Sequence, residues 1–225
     1  MIFTIERLQR LYQKIDETCK KSARNAKDVD ILAATKYADV DQINQILGAG
    51  IKLIGENRIQ DAQKKIPQLL PVRKHFIGTL QSNKIRTAIK LFDLIESVDS
   101  LELAEKINHE AEKLAKVVKI LIEVNVAQDL KKHGVKPKEV FQLLQLLKKY
   151  PFIKVEGLMT IIPYFADLEE TRPFFRMMKV LFDFCRSGFP SMHVLSMGMS
   201  HDFTVAIEEG ATEVRIGSYL FKDES

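Results

Sequence analysis

Strand-like and helix-like patterns alternate along most of the chain. Seven segments have apolar residues at every third or fourth position, the spacing of an amphipathic helix, and a further helix is predicted over about 3–24. Short apolar runs separate these segments and are typical of buried strands. The eight predicted strands are 30–37, 52–57, 74–80, 94–99, 119–126, 154–161, 193–200 and 213–221.

This alternation predicts an α/β fold in which parallel strands are joined by helical crossovers. Eight such strands most simply close into a TIM-type (β/α)8 barrel, and an open doubly wound sheet is the alternative. No Pro/Gly/Ser-rich linker divides the chain. We therefore expect a single barrel domain over 1–225, with the N-terminal helix in 1–25 packed on it.

Composition and charge exclude several classes of protein. No apolar run approaches the length of about 18 residues that a membrane span needs, and charges in the first residues exclude a signal peptide, so a cytoplasmic protein is expected. The net charge of +4 comes from lysines scattered over helix faces, which argues against nucleic-acid binding. No histidine or cysteine has a recognised ligand spacing, so no metal site is predicted.

Polar residues follow or end several predicted strands. In a barrel of this kind the carboxyl ends of the strands carry the working groups. Lys36 ends the first strand and Asn57 the second, Ser200 ends the seventh, and Arg215, Gly217 and Ser218 lie along the eighth.

The loops after strands seven and eight commonly hold a phosphate in such barrels. We expect Ser200 to cap a helix beginning near His201, and Gly217 to let the backbone approach an anion beside Ser218. The alternative is that Ser200 is only a helix cap and Gly217 only a tight bend.

Lys36 closes a run that is otherwise apolar, so its amine is predicted to point into the barrel mouth. Burial and a nearby cation such as Arg215 would lower its pKa and make it a nucleophile, whereas a lysine there can also simply extend to water. A lysine, a phosphate cradle and an arginine together suit pyridoxal 5'-phosphate, although a sugar-phosphate aldolase would use similar parts.

Six ordered motifs make the chain resemble the pyridoxal phosphate homeostasis proteins, the YggS/PROSC-like family. The motifs are ATKY, GENRIQDAQKK at 55–65, HFIGTLQSNK at 75–84, GLMTI at 157–161, LSMGMSHDF at 195–203 and VRIGSYLF at 214–221. The resemblance covers about residues 30–221. The chain departs from the family pattern at KKHG, residues 131–134, where the family usually has Ser-Lys-Ser-Gly. Lys132 is retained, and His133 replaces a small residue.

The resemblance implies a barrel of the alanine racemase N-terminal type that holds pyridoxal 5'-phosphate as an aldimine on Lys36. It further implies that Ser200, Gly217 and Ser218 hold the phosphate, that Asn57 lies beside the cofactor, and that Arg215 faces the pyridine nitrogen. A guanidinium can only donate hydrogen bonds, so that nitrogen would remain unprotonated.

The function implied is intracellular pyridoxal phosphate homeostasis and amino-acid and keto-acid balance, without established turnover and with no catalytic residue. Pyridoxal-phosphate-dependent apo-enzymes are expected partners, and the protein is expected to be a monomer. The alternative is a pyridoxal-phosphate-dependent amino-acid racemase. Such racemases use a tyrosine from a second domain, whereas this sequence stops four residues after strand eight and only Tyr164 is expected to reach the open face.

Overall fold

Eight parallel strands close into a barrel in the order in which they occur along the chain, and the last pairs with the first. The computed structural model describes residues 2–129 and 132–222. The strands are β1 (Asp30–Ala34), β2 (Leu53–Glu56), β3 (Arg73–Phe76), β4 (Leu94–Val98), β5 (Val118–Glu123), β6 (Ile153–Met159), β7 (Val194–Met199) and β8 (Glu213–Ile216). The predicted (β/α)8 barrel is confirmed.

Helices lie between the strands and on the outside of the barrel. Within the described residues they are α1 (Ile2–Lys21), α2 (Val40–Gly48), α3 (Ile59–Lys65), α4 (Ile85–Leu91), α5 (Leu101–Lys113), α6 (Pro137–Leu147), α7 (Arg172–Gly188), α8 (Phe203–Glu208) and α9 (Ser218–Phe221). None of the helices in the part of the chain described is both long and apolar enough to cross a membrane.

The helix α1 packs against α2, α8 and α9. It buries Leu8, Leu11, Ile15 and Cys19, which lie on one face because they are three or four residues apart. The buried face of α1 thus lies against helices of the outer layer, and the single domain over 1–225 with its N-terminal helix stays a prediction.

The eighth strand is shorter than its apolar sequence predicts. It ends at Ile216, and Ser218–Phe221 form α9, in which the N–H groups of Leu220 and Phe221 donate to the Gly217 carbonyl at 3.0 and 3.1 Å. The prediction of a strand through 221 was wrong because a buried apolar run suits a short helix as well as a strand. Other strand ends differ by a few residues, and Lys131 of the KKHG segment lies outside the described residues.

Side chains alternate between the barrel interior and the layer under the helices, as the period of two in a strand requires. On β1, Ala33 belongs to the large core shared with the helices, whereas Leu32 joins a smaller cluster with residues of β2. On β8 the same alternation puts Val214 and Ile216 into the large core. The interior positions of β8 are therefore Glu213 and Arg215, both buried.

Close packing of β6 against β7 leaves no room for a side chain at Gly157. A Cβ built there would lie 1.8 Å from the Val194 carbonyl oxygen, which is backbone of the neighbouring strand. We expect Gly157→Ala to lower the free energy of unfolding by about 1–3 kcal/mol or more, since neither strand can move without breaking the barrel. Urea denaturation followed by circular dichroism measures it.

Gly48, the last residue of α2, is the matched control because a Cβ there meets nothing within 4 Å. Gly48→Ala should be neutral or stabilising by up to about 1 kcal/mol. Equal destabilisation by the two variants would contradict the packing argument.

Candidate functional site

One cavity at the carboxyl ends of the strands is lined by all six residues predicted to bind the cofactor. It has a volume of about 430 Å³. Its lining includes Lys36, Asn57, Ser200, Arg215, Gly217 and Ser218. They meet because β7, β8, β1 and β2 are consecutive neighbours around the barrel.

Lys36 lies in a single 3-10 turn, Thr35–Tyr37, that follows β1. The turn is fastened by buried Thr35, whose hydroxyl donates to Glu56 Oε1 at 2.6 Å. Lys65 donates to the Thr35 carbonyl at 2.8 Å and pairs with Glu56 at 3.2 Å. Lys36 is therefore held by its backbone, while its own side chain is exposed rather than buried.

Tyr37 and Lys222 also line the cavity, and the sequence analysis missed both. The ammonium groups of Lys36 and Lys222 lie 4.8 and 4.5 Å from the centre of the Tyr37 ring. The hydrogen bond from Lys36, followed by the charges of both lysines, lowers the pKa of the Tyr37 phenol. The predicted first strand ran through Tyr37, but the strand ends at Ala34 and the Tyr37 ring is 51% exposed.

Ser200 bonds to the start of α9 rather than to the helix that follows it. Its Oγ accepts from the N–H groups of Gly217 at 3.0 Å and Tyr219 at 3.2 Å. The predicted helix cap was wrong because α8 begins only at Phe203, and the Asp202 carboxylate turns back to accept from the N–H of Met199. Ser200 thus ties the end of β7 to the end of β8.

Gly217 lets the end of β8 approach the end of β1. A Cβ at Gly217 would lie 3.3 Å from both Cβ and O of Ala34, tighter than ordinary contact. The Gly217–Ser218 peptide therefore lies beside the turn that carries Lys36.

Asn57 follows β2 and contributes an amide to the cavity wall. Its Oδ1 is buried and has no hydrogen-bond partner among the residues described. Buried polar atoms are nearly always paired, so an unpaired one in a cavity wall indicates a ligand or water partner.

Arg215 forms the buried floor of the cavity. Its Nη1 donates to Ser196 Oγ at 2.7 Å, and its Nη2 donates to the Thr160 carbonyl at 2.6 Å. The arginine is 4% exposed, so both contacts hold its guanidinium in one orientation.

His75, Glu96 and Glu213 form a buried cluster below Arg215. Their nitrogen and oxygen ligand atoms lie within 4.8 Å of one another, a spacing that is compatible with a metal ion. No histidine was predicted to pair with a carboxylate at a recognised ligand spacing, and these three residues are not close in sequence. The three residues come from β3, β4 and β8, so no local spacing could reveal them.

Burial and charge move the two carboxyl pKa values in opposite directions. Burial raises the pKa of Glu96, but its hydrogen bond to His75 and the charges of His75 and Arg215 outweigh burial and leave it below the ordinary value. Burial and the charge of Glu96 raise the pKa of Glu213 well above the ordinary value. Glu96 is therefore the more readily ionised of the two carboxyl groups.

A second cavity reaches this cluster from the opposite end of the barrel. It has a volume of about 680 Å³, and both His75 and Glu213 line it. The cluster thus separates a cavity at the amino ends of the strands from the one at their carboxyl ends.

The comparison with protein families matches the alanine racemase N-terminal domain over residues 7–225. A pyridoxal phosphate homeostasis protein of Aquifex aeolicus is 42% identical over 219 residues, which are 96% of this chain and 96% of that protein. The chain belongs to the family of pyridoxal phosphate homeostasis proteins.

Two solved structures extend the likeness to the fold. A protein of Bifidobacterium adolescentis described as unknown has a TM-score of 0.92 and 33% identity, over 97% of this chain and 94% of that one. PipY of Synechococcus elongatus, solved with pyridoxal phosphate bound, has a TM-score of 0.82 and 32% identity, over 97% and 99% of the two chains. The predicted family is confirmed.

The contacts of Ser200 generate a prediction for this member of the family. Ser200→Ala removes the acceptor of two N–H groups at the start of α9, so we expect a loss of about 0.5–2 kcal/mol in the free energy of unfolding. The matched control is Ser187→Ala, whose hydroxyl bonds only within its own exposed helix and should change stability by less than about 0.5 kcal/mol. Chemical denaturation of both variants checks the difference, and equal stabilities would contradict the assigned role.

Proposed function

We propose that the protein binds pyridoxal 5'-phosphate in the cavity at the carboxyl ends of the strands and serves its intracellular homeostasis. The observation that carries the proposal is the convergence of a lysine, an arginine and the Ser200–Gly217–Ser218 group on one cavity. The unpaired Oδ1 of Asn57 supports a polar ligand there. The relatives support this ligand, since one is a homeostasis protein of this vitamer and another was solved with it bound.

Pyridoxal phosphate supplies an aldehyde that condenses reversibly with a primary amine. Lys36 would provide that amine because it lies on the fastened turn after β1 and reaches the cavity. Its exposed side chain leaves the amine accessible from solvent, which suits a protein that takes up and releases its ligand.

Ser218 and the backbone around Gly217 would hold the phosphate group. Ser200 contributes by keeping the end of β8 in place, since its Oγ already accepts two N–H groups there. Ser200→Ala is therefore expected to lower the affinity for pyridoxal phosphate as well as the stability.

Arg215 would face the pyridine nitrogen from the floor of the cavity. It has donors only, so a nitrogen that contacts it must accept and remain unprotonated. An unprotonated ring withdraws electrons weakly, and this favours holding the ligand over amino-acid turnover. Pyridoxal-phosphate-dependent apo-enzymes as recipients, a monomeric state and a cytoplasmic location remain parts of the proposal.

Lys36→Ala is expected to abolish covalent attachment of pyridoxal phosphate while leaving the fold intact, because an exposed side chain contributes little to the core. Borohydride reduction followed by peptide mass mapping locates the pyridoxyl group. The wild type should carry it on Lys36, and the free energy of unfolding of the variant should change by less than about 0.5 kcal/mol.

Lys222→Ala is the matched control, since Lys222 lines the same cavity and lies over the same Tyr37 ring. This variant should retain the pyridoxyl group on Lys36. Labelling mainly at Lys222 or at any other lysine would disprove the assignment of Lys36.

When loaded with pyridoxal phosphate, the protein is not expected to exchange the Cα proton of L-alanine or L-serine at an enzymatic rate. Racemisation needs a positioned acid or base on each face of Cα, each worth about 10²–10⁴-fold in rate. Tyr37 lines the cavity, but Lys36 contacts its ring, so the two groups are not separated as a pair that acts on opposite faces of Cα would be. Deuterium incorporation and enantiomer analysis measure the rate.

Rapid stereoinversion that disappears in Lys36→Ala would instead support the racemase alternative. Tyr37→Phe would then be the first variant to make, followed by Tyr164→Phe. Tyr164 does not line the cavity but stacks against His201, which does, at 4.8 Å between ring centres.

A further inference from the structure

The barrel interior below Arg215 contains buried polar side chains among the apolar residues that usually fill it. Glu96 and Ser196 have no exposed surface, and Glu213 is 2% exposed. Burying a carboxylate is costly unless hydrogen bonds and an opposite charge compensate. Packing alone therefore does not explain why Glu96 and Glu213 are buried here.

Two hydrogen bonds link Glu96 to Arg215 through Ser196, and the donor and acceptor of each can be assigned. An ionised carboxylate only accepts hydrogen bonds, so Ser196 Oγ donates to Glu96 Oε2 at 2.7 Å. The hydroxyl oxygen is then free to accept from Arg215 Nη1 at 2.7 Å. The position of the Glu96 carboxylate thus fixes the Ser196 hydroxyl, and the hydroxyl fixes the guanidinium of Arg215.

The second oxygen of Glu96 is held from the other side of the barrel. Its Oε1 lies 2.8 Å from His75 Nδ1, which must carry the proton in this contact. His75 Nδ1 also lies 3.4 Å from Glu213 Oε2. Both oxygens of Glu96 are therefore paired, and its carboxylate has one orientation.

Ser196 therefore joins Arg215 to the carboxylate of Glu96. Glu213, two residues before Arg215 on β8, also lies beside His75, with its Oε2 3.4 Å from His75 Nδ1. Burial and the charge of Glu96 raise the pKa of Glu213. Its Oε1 has no hydrogen-bond partner among the described residues.

We propose that Glu96 is a positioning residue for the cofactor-facing Arg215, acting through Ser196. This role rests on the proposed binding of pyridoxal phosphate, because it concerns the residue that would face the pyridine nitrogen. Glu96 and Ser196 fix one side of the guanidinium and the Thr160 carbonyl fixes the other. The negative charge of Glu96 also interacts with the arginine and so contributes to the electrostatic field that the pyridine nitrogen would meet.

The first experiment needs no ligand. Proton–nitrogen NMR spectra of the arginine side chains should contain a slowly exchanging Nη signal of Arg215, assigned by its absence in Arg215→Lys. Ser196→Ala should lose the slow exchange because Nη1 loses its acceptor, and Glu96→Gln should lose it because the relay loses its anchor. Ser196→Thr, which keeps the hydroxyl, should retain it.

Glu156→Gln is the matched control. Glu156 is another buried glutamate of the barrel, 5% exposed, but it pairs with Lys119 and Lys154. The Arg215 signal should be unchanged in this variant. Equally slow exchange in Ser196→Ala, Glu96→Gln and the wild type would overturn the proposal, as would the loss of the signal in Glu156→Gln to the same degree.

The second experiment uses the visible absorption of bound pyridoxal phosphate. The absorption maximum should shift in Glu96→Gln and Ser196→Ala, with pyridoxyl labelling still on Lys36, and stay unshifted in Glu156→Gln and Ser196→Thr. Unshifted spectra in all four would overturn the proposal while leaving the proposed function intact. A wild type that binds no pyridoxal phosphate would overturn the proposed function, and the NMR result would still decide whether Glu96 holds Arg215.

Metal analysis tests whether His75, Glu96 and Glu213 bind a metal ion instead. We expect neither stoichiometric zinc nor manganese in the purified protein, nor a change in the Arg215 signal when one equivalent of Zn²⁺ is added. A bound equivalent that is lost in His75→Gln would overturn the proposal, because Glu96 and Glu213 would then be metal ligands.

Discussion

The pairing of β8 with β1 is the constraint on which the site depends. Four consecutive residue pairs, from Asp30 with Glu213 to Ala33 with Ile216, close the barrel. Closure places the turn after β1, which carries Lys36, beside the end of β8. Residues almost a whole chain length apart thereby line one cavity, although loop closure over such a distance is entropically costly and must be offset by the packed core.

Closure also determines what lies inside the barrel. A strand alternates its side chains between two faces, so the pairing that sends Val214 and Ile216 to the helices sends Glu213 and Arg215 inward. A shift of one residue would bury the charged pair against the helices instead. The large apolar core outside the sheet therefore holds the register that the polar interior requires.

The cavity combines a rigid floor with an accessible rim. Arg215 is buried and held at two points, whereas the side chains of Lys36 and Lys222 are exposed above it. Rigidity at the floor suits recognition of one ring orientation, and an accessible amine suits uptake and release. The fastening of the Lys36 turn through Thr35, Glu56 and Lys65 restricts only the backbone.

The sequence by itself determined the order and type of the elements, because a strand period of two and a helix period near 3.6 are local properties. Local pattern also suggested the six predicted site residues, since residues that follow or end apolar runs are visible along the chain, and their roles stay a prediction. Local pattern did not determine where β8 ends or what Ser200 caps, because a buried apolar run fits either a helix or a strand. The buried cluster of His75, Glu96 and Glu213 was decided by the tertiary structure alone, since barrel closure brings three separate strands together and no sequence spacing encodes that contact.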